Sequence, residues 1–90
     1  MEERNEIVIN YSSKADKFFV KHKSIKEKFI ENITKLIDGI EADVKELKGY
    51  KFLYRMRIGK YRVIYTIIND EITIVNVLNA ESRGDVYKHL

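Results

Sequence analysis

Between Lys51 and Ala80 the chain runs without a proline and is crowded with Tyr, Ile, Val and Thr, broken only at Gly59-Lys60 and Asn69-Asp70-Glu71. β-Branched and aromatic side chains suit a pleated surface, and breaks of this composition are hairpin signals, so the region reads as three antiparallel strands. The stretch before it has a different period. Ile25, Phe29, Ile33, Leu36, Ile37 and Ile40 recur every three or four residues with Lys and Glu between them. That stripe predicts an amphipathic helix of roughly five turns, ending near Asp43. Ser24-Ile25-Lys26-Glu27 has the form of a capping box in front of it. Further back, Ser12 or Ser13 can cap a shorter helix running through Ala15, Phe18 and Phe19 to about His22, and Glu6 to Asn10 reads as a strand. The expected order is β-α-α-β-β-β: an α+β fold, one small domain over residues 1–90, its antiparallel sheet packed against a helical hairpin. Asp85 to Leu90 could add one helical turn.

Ninety residues suffice for one core and leave no room for a cofactor-binding domain. With no cysteine there is neither a disulfide framework nor a thiolate ligand or nucleophile. Two isolated histidines, His22 and His89, do not make a zinc site, and they read as ordinary surface or partly buried residues. The charged start and the shortness of every apolar run argue against a leader or a membrane span, so a cytoplasmic protein without metal or cofactor is expected.

Charge is placed unevenly. The net charge is +3, yet positions 45 to 62 carry Lys45, Lys48, Lys51, Arg55, Arg57, Lys60 and Arg62 against Glu46 alone. That segment sums to +6 and the remaining 72 residues to −3. One region therefore holds all the excess, as a footprint for a polyanion would. If Gly59-Lys60 is a two-residue turn, Ile58 pairs with Tyr61 and Arg57 faces Arg62. Alternation then gives Arg55, Arg57 and Arg62 one face of the sheet and Tyr54, Met56, Ile58, Tyr61, Val63 and Tyr65 the other.

Opposed like charges destabilise a sheet, and threonine would serve these strands better. Two readings stay open: an exposed, solvated face, or an anion site in which guanidinium forks bind phosphate oxygens. Ile64, Thr66, Ile68, Val75 and Val77 are expected to continue this face as an apolar end, lying beneath the helices or receiving a partner peptide. Arg83 and Tyr87, four residues apart, share one face if a helical turn forms there. Tyr87 is then either an anchor for the tail or a functional group. Lys23 to Lys28 reads as a solvated helix face.

Three segments together resemble a known family: Glu46-Leu47-Lys48-Gly49-Tyr50, then Tyr54-Arg55-Met56-Arg57-Ile58-Gly59-Lys60-Tyr61-Arg62-Val63-Ile64-Tyr65, then Arg83-Gly84-Asp85-Val86-Tyr87. They are similar to the RelE/ParE toxin superfamily, and the closing R-x-D-V-Y favours its ribonuclease branch. The resemblance implies a RelE-like microbial ribonuclease fold and the toxin of a type II toxin–antitoxin pair. It further implies metal-independent, ribosome-dependent endoribonuclease cleavage of mRNA, by 2′-hydroxyl attack on the adjacent phosphate. On this resemblance Arg62 would hold the scissile phosphate, with Arg55 and Arg57 at positions of basic catalytic residues. Arg83 would assist the leaving oxygen, and Tyr87 would orient the nucleotide or move a proton. Lys48, Lys51 and Lys60 would bind RNA. The partners implied are a RelB-like antitoxin, the ribosome and mRNA, with no membrane and no metal.

Family members often carry Lys where this chain has Arg55 and Arg57, and arginine does not give up a proton at neutral pH. Glu81 and Ser82 stand where others carry His or Arg. Glu81 is thus the remaining candidate for a base beside Tyr87. The alternative within the superfamily is a ParE-like toxin that inhibits DNA gyrase by binding, without nuclease activity; a non-catalytic RNA-binding module is a third reading.

Overall fold

The computed structural model describes residues 6–40, 44–47, 49, 52–69 and 72–82. Its elements are β1 (Ile7–Tyr11), α1 (Ser13–Lys21), α2 (Lys23–Ile37), β2 (Val44–Glu46), β3 (Leu53–Ile58), β4 (Tyr61–Asn69) and β5 (Thr73–Ser82). The five strands form one sheet in the order β1-β5-β4-β3-β2. β2 through β5 pair antiparallel, whereas β1 lies parallel to β5. The sheet is therefore mixed, not purely antiparallel as expected. β1 enters before the helices and is tied to its neighbour by no hairpin, so no tight turn dictates an antiparallel direction.

Three further features differ from expectation. α2 stops at Ile37, short of Asp43, because Gly39 adopts φ +83°. Around it the Gly39 amide donates to the Leu36 carbonyl (3.0 Å) and the Ile40 amide to the Lys35 carbonyl (2.8 Å). This paired bonding satisfies the orphan carbonyls and closes the helix, a conformation glycine adopts at least cost. α2 also starts at Lys23, so Ser24 lies inside its first turn; His22 holds the cap position without a side-chain hydrogen bond. β2 was not expected as a strand. It has three residues, two of them charged, and exists through pairing, Val44 with Met56 and Lys45 with Arg55.

The helices cover one face of the sheet. Ala15, Phe19, Phe29 and Ile33 meet Met56, Ile58, Val63, Tyr65, Val75, Val77 and Ala80 in a single apolar cluster. Rings run through it: Phe19 to Phe29 at 6.2 Å, Phe29 edge-on to Tyr65 at 5.5 Å, and Tyr65 stacked on Tyr54 at 5.8 Å. The hairpin register is Ile58 with Tyr61, with Gly59 at φ +58° and Lys60 not positive. A positive φ at the first central position alone is the pattern of a type II′ turn, which matches the twist of the strands.

β5 contains a bulge. Ile64 pairs with Asn79 and Tyr65 with Val77, leaving Leu78 without a partner. Ser12 holds that irregularity: its amide donates to the Val77 carbonyl (2.9 Å) and its hydroxyl to the Leu78 carbonyl (2.7 Å). The same hydroxyl accepts from the Ala15 amide at 3.1 Å, capping α1. An extra residue flips the faces that follow it. Before the bulge, Val75 and Val77 point under the helices; after it, Ala80 does so, and the register sets Asn79 opposite Ile64 and Glu81 opposite Arg62. Val75 and Val77 therefore lie on the helix face, not on the arginine face as expected, because the hairpin pairs Asn69 with Thr73 and so sets Val75 opposite Ile67 and Val77 opposite Tyr65.

Two stability outcomes follow from this packing. Ser12→Ala should lower stability by about 1 kcal/mol, with Ser12→Thr recovering most of it, as read from urea midpoints. Burial, and then the neighbouring Tyr54, holds the Tyr65 phenol above its ordinary value of 10.0. The folded chain thus keeps a proton that the unfolded chain releases first. Tyr65's contribution should be whole below pH 10.0 and shrink as pH rises beyond it. Urea titrations across that range should show the decline in the wild type and less of it in Tyr65→Phe.

Candidate functional site

The face of the sheet away from the helices carries the cations. Register puts Lys45 beside Arg55, Arg55 beside Ile64, and Ile64 beside Asn79. The next row is Arg57, Arg62 and Glu81. Arg57 and Arg62 flank the closing pair of a two-residue hairpin. They thus form a non-hydrogen-bonded pair, in which Cα atoms approach to about 4.5 Å. Leu53 and Ile64 are buried on this side with Leu47 packed against them, and the arginines stand around that small apolar floor. Lys45 is not among the site residues expected from sequence; β2 brings it to Arg55, and its sequence signal is its place at the head of the basic run.

The stems of Arg55 and Arg62 are covered as far as Nε. Nε of Arg55 and Nε of Arg62 are both sealed from solvent and make no hydrogen bond there. A buried donor left so costs about 1–3 kcal/mol. Arg57, Arg62 and Glu81 each have further interactions within the protein. Glu81 is the acid of the row, opposite Arg62 and 3.4 Å from Lys14 Nζ through Oε1. It is the counter-charge that the sequence had not placed.

Lys60 sits elsewhere, exposed in the turn with Nζ 5.5 Å from the Tyr61 ring centroid. Lys48, Lys51, Arg83 and Tyr87, together with the suggested turn from Asp85 to Leu90, fall outside the described residues. Among the described residues no group of His, Asp and Glu could hold a metal ion, and no helix is long and apolar enough to cross a membrane.

Away from the arginines the open face changes character. Asn10, Asn76 and Thr66 form a polar row, with Asn10 Nδ2 donating to Asn76 Oδ1 at 3.0 Å. Beyond it Val8, Ile74 and Ile68 line up across β1, β5 and β4, with Val8 and Ile68 exposed. The face is thus cationic at the hairpin end and apolar at the other.

A two-helix layer on a mixed five-stranded sheet, with opposed arginines on the uncovered face, defines a class of small basic α+β proteins. The family model for the ParE toxin of type II toxin–antitoxin systems, parDE, matches residues 9–84. The chain is 33% identical over 51 residues to toxin RelE3 of Methanocaldococcus jannaschii, covering 57% of this chain and 58% of that protein. It is 40% identical over 47 residues to RelE1 of the same organism, covering 52% and 51%. The matched segment thus spans little more than half the length of these relatives.

In shape it resembles a chain of the RelB–RelE antitoxin–toxin complex from Methanococcus jannaschii, with TM-score 0.62 and 22% identity. It also resembles one of the archaeal RelE–RelB complex from Pyrococcus horikoshii OT3, with TM-score 0.64 and 26% identity. Each comparison covers 90% of this chain and 98% of the other. With most of its length matched by the family model, the chain belongs to the ParE toxin family of type II toxin–antitoxin systems.

Glu81→Gln should remove the balance between Lys14 and Arg62. The expected loss is at most about 1 kcal/mol in low salt, shrinking in molar NaCl as the remaining charges are screened. Urea midpoints at the two salt concentrations measure it.

Proposed function

We propose that this chain is a type II toxin acting as a metal-independent endoribonuclease on messenger RNA at the ribosome. The observation that supports it best is the row of Arg57 opposite Arg62, with Arg55 and Lys45 in the next row of the same face. Cross-strand like charges oppose folding, and a polyanion offsets them. In the reaction the 2′-oxygen forms a bond to the adjacent phosphorus as the bond to the 5′-oxygen breaks. The products are a cyclic phosphate and a 5′-hydroxyl; one proton leaves the 2′-oxygen and one reaches the 5′-oxygen.

Arg62, Arg57 and Arg55 carry the charge of the pentavalent phosphate, and preorganised guanidinium groups suit that task. None of them serves as a base at neutral pH. Glu81, in register with Arg62, is the described carboxylate placed to accept a proton, and Tyr87 and Arg83 complete the proposed set. Lys48, Lys51 and Lys60 add attraction for the RNA backbone. The proposed partner is a RelB-like antitoxin, since both structural neighbours come from RelB–RelE complexes. It would cover the row of Val8, Ile74 and Ile68 and extend acidic groups over the arginines, by groove or added-strand contacts.

The matching family model is described by ParE, which favours a second reading: a toxin that binds DNA gyrase and cleaves no RNA. Induced expression in bacteria of wild type and Arg62→Ala separates them. Growth arrest with new 5′-hydroxyl ends in translated messages, lost in Arg62→Ala, is expected. Arrest without such ends would replace the nuclease with the gyrase reading.

A further inference from the structure

At the hairpin end of the sheet the arginine row adjoins a second surface built from aromatic rings. Phe18 and His22 have centroids 4.3 Å apart with planes 31° off parallel. His22 and Tyr61 are 4.9 Å apart, and Phe18 meets Tyr61 edge-on at 5.4 Å. All three rings are half-buried. With Lys60, Glu81 and Ser82 they line an open depression of about 430 Å³.

The His22 side chain has no part in the hydrogen bonding of the helix junction. The junction between α1 and α2 is bonded through backbone: the His22 amide donates to the Phe19 carbonyl, and the His22 carbonyl accepts from Ile25 and Lys26. Its side chain makes no capping bond.

The depression and the cationic row are connected by two features. Tyr61 and Arg62 are consecutive on β4 and project to opposite faces, so the two surfaces are separated by the thickness of one strand. Glu81 belongs to both, lining the depression and standing in register with Arg62.

We propose that this depression is a stacking subsite for one unpaired nucleobase of a single-stranded RNA, next to the phosphate held by Arg57 and Arg62. The proposal rests on the ribonuclease reading and adds a place for a base outside the bond being cleaved. Every base has a π-face, and half-buried rings beside a cation are the usual platform for it. Lys60, with its ammonium near the Tyr61 ring, is placed to meet the adjoining backbone phosphate. The base would stack on His22 and Tyr61 as the backbone turns round the hairpin end onto the arginine face.

The test uses a short RNA with 2′-O-methyl sugars, which has no attacking hydroxyl, carrying 2-aminopurine at each position in turn. Fluorescence of that base falls when it stacks. Wild-type protein at low salt should quench one position strongly. His22→Ala and Tyr61→Leu should each relieve that quench and weaken binding about tenfold, within the roughly 1–3 kcal/mol of a base–aromatic stack. His22→Ala removes no bond of the helix junction, so it carries the test if Tyr61→Leu fails to fold.

Equal quenching and affinity in wild type and His22→Ala, with binding lost in Arg62→Ala, would overturn the subsite and leave the ribonuclease reading standing. Absence of any salt-sensitive RNA binding by the wild type would overturn the subsite, and the ribonuclease reading then falls only if induced expression also yields no new 5′-hydroxyl ends.

Discussion

The Ser12 hydroxyl and amide hold together the parts on which the rest of the molecule depends. One side chain caps α1 through the Ala15 amide and meets the Leu78 carbonyl, while its backbone meets Val77. The bulge at Leu78 therefore sits where the first helix begins. Without the bulge, strict alternation would leave Ala80 facing solvent and send Glu81 under the helices. With it, Ala80 closes the apolar cluster and Glu81 stands opposite Arg62. A local hydrogen-bond arrangement thus decides the charge balance at the cationic row.

That row works against the sheet's own stability. Arg57 opposite Arg62 and Lys45 beside Arg55 are pairings a strand gains nothing from, and the sealed Nε of Arg55 adds a desolvation cost. The apolar cluster beneath offsets these. Phe29, Ile33, Met56, Val63 and Val75 have no exposed surface at all, so the sheet is anchored from the helix side and its outer face is released for charge. Glu81 and Lys14 trim the field at one edge, leaving Lys45, Arg55 and Arg57 as the broad cationic surface.

The open face has two ends with different chemistry, which fits the functional reading. The exposed Val8 and Ile68 suit a protein partner, and the arginine end suits phosphate. A partner spanning both would bury the apolar row and screen the cations at once.

Much was legible from local pattern. The hairpin at Gly59-Lys60 set the register of Arg57 on Arg62, because a two-residue turn and a side-chain period of two leave no freedom there. The helix stripe through Phe29 and Ile33 likewise named the residues that fill the core. Other features depend on contacts distant in sequence. β2 exists because Val44 finds Met56, and its three residues carry no signal of their own; Lys45 could not be placed beside Arg55 without it. The early end of α2 depended on Gly39 adopting a left-handed turn that the continuing stripe at Ile40 concealed. Glu81 stood in the sequence as a bare carboxylate, and its place opposite Arg62 came from a bulge pinned by a serine 66 residues before it. Sequence alone determined the paired arginines and the core, since both follow from short-range periodicity. Tertiary structure decided their neighbours, since a bulge, an added strand and a parallel edge are set by which distant backbone groups satisfy one another.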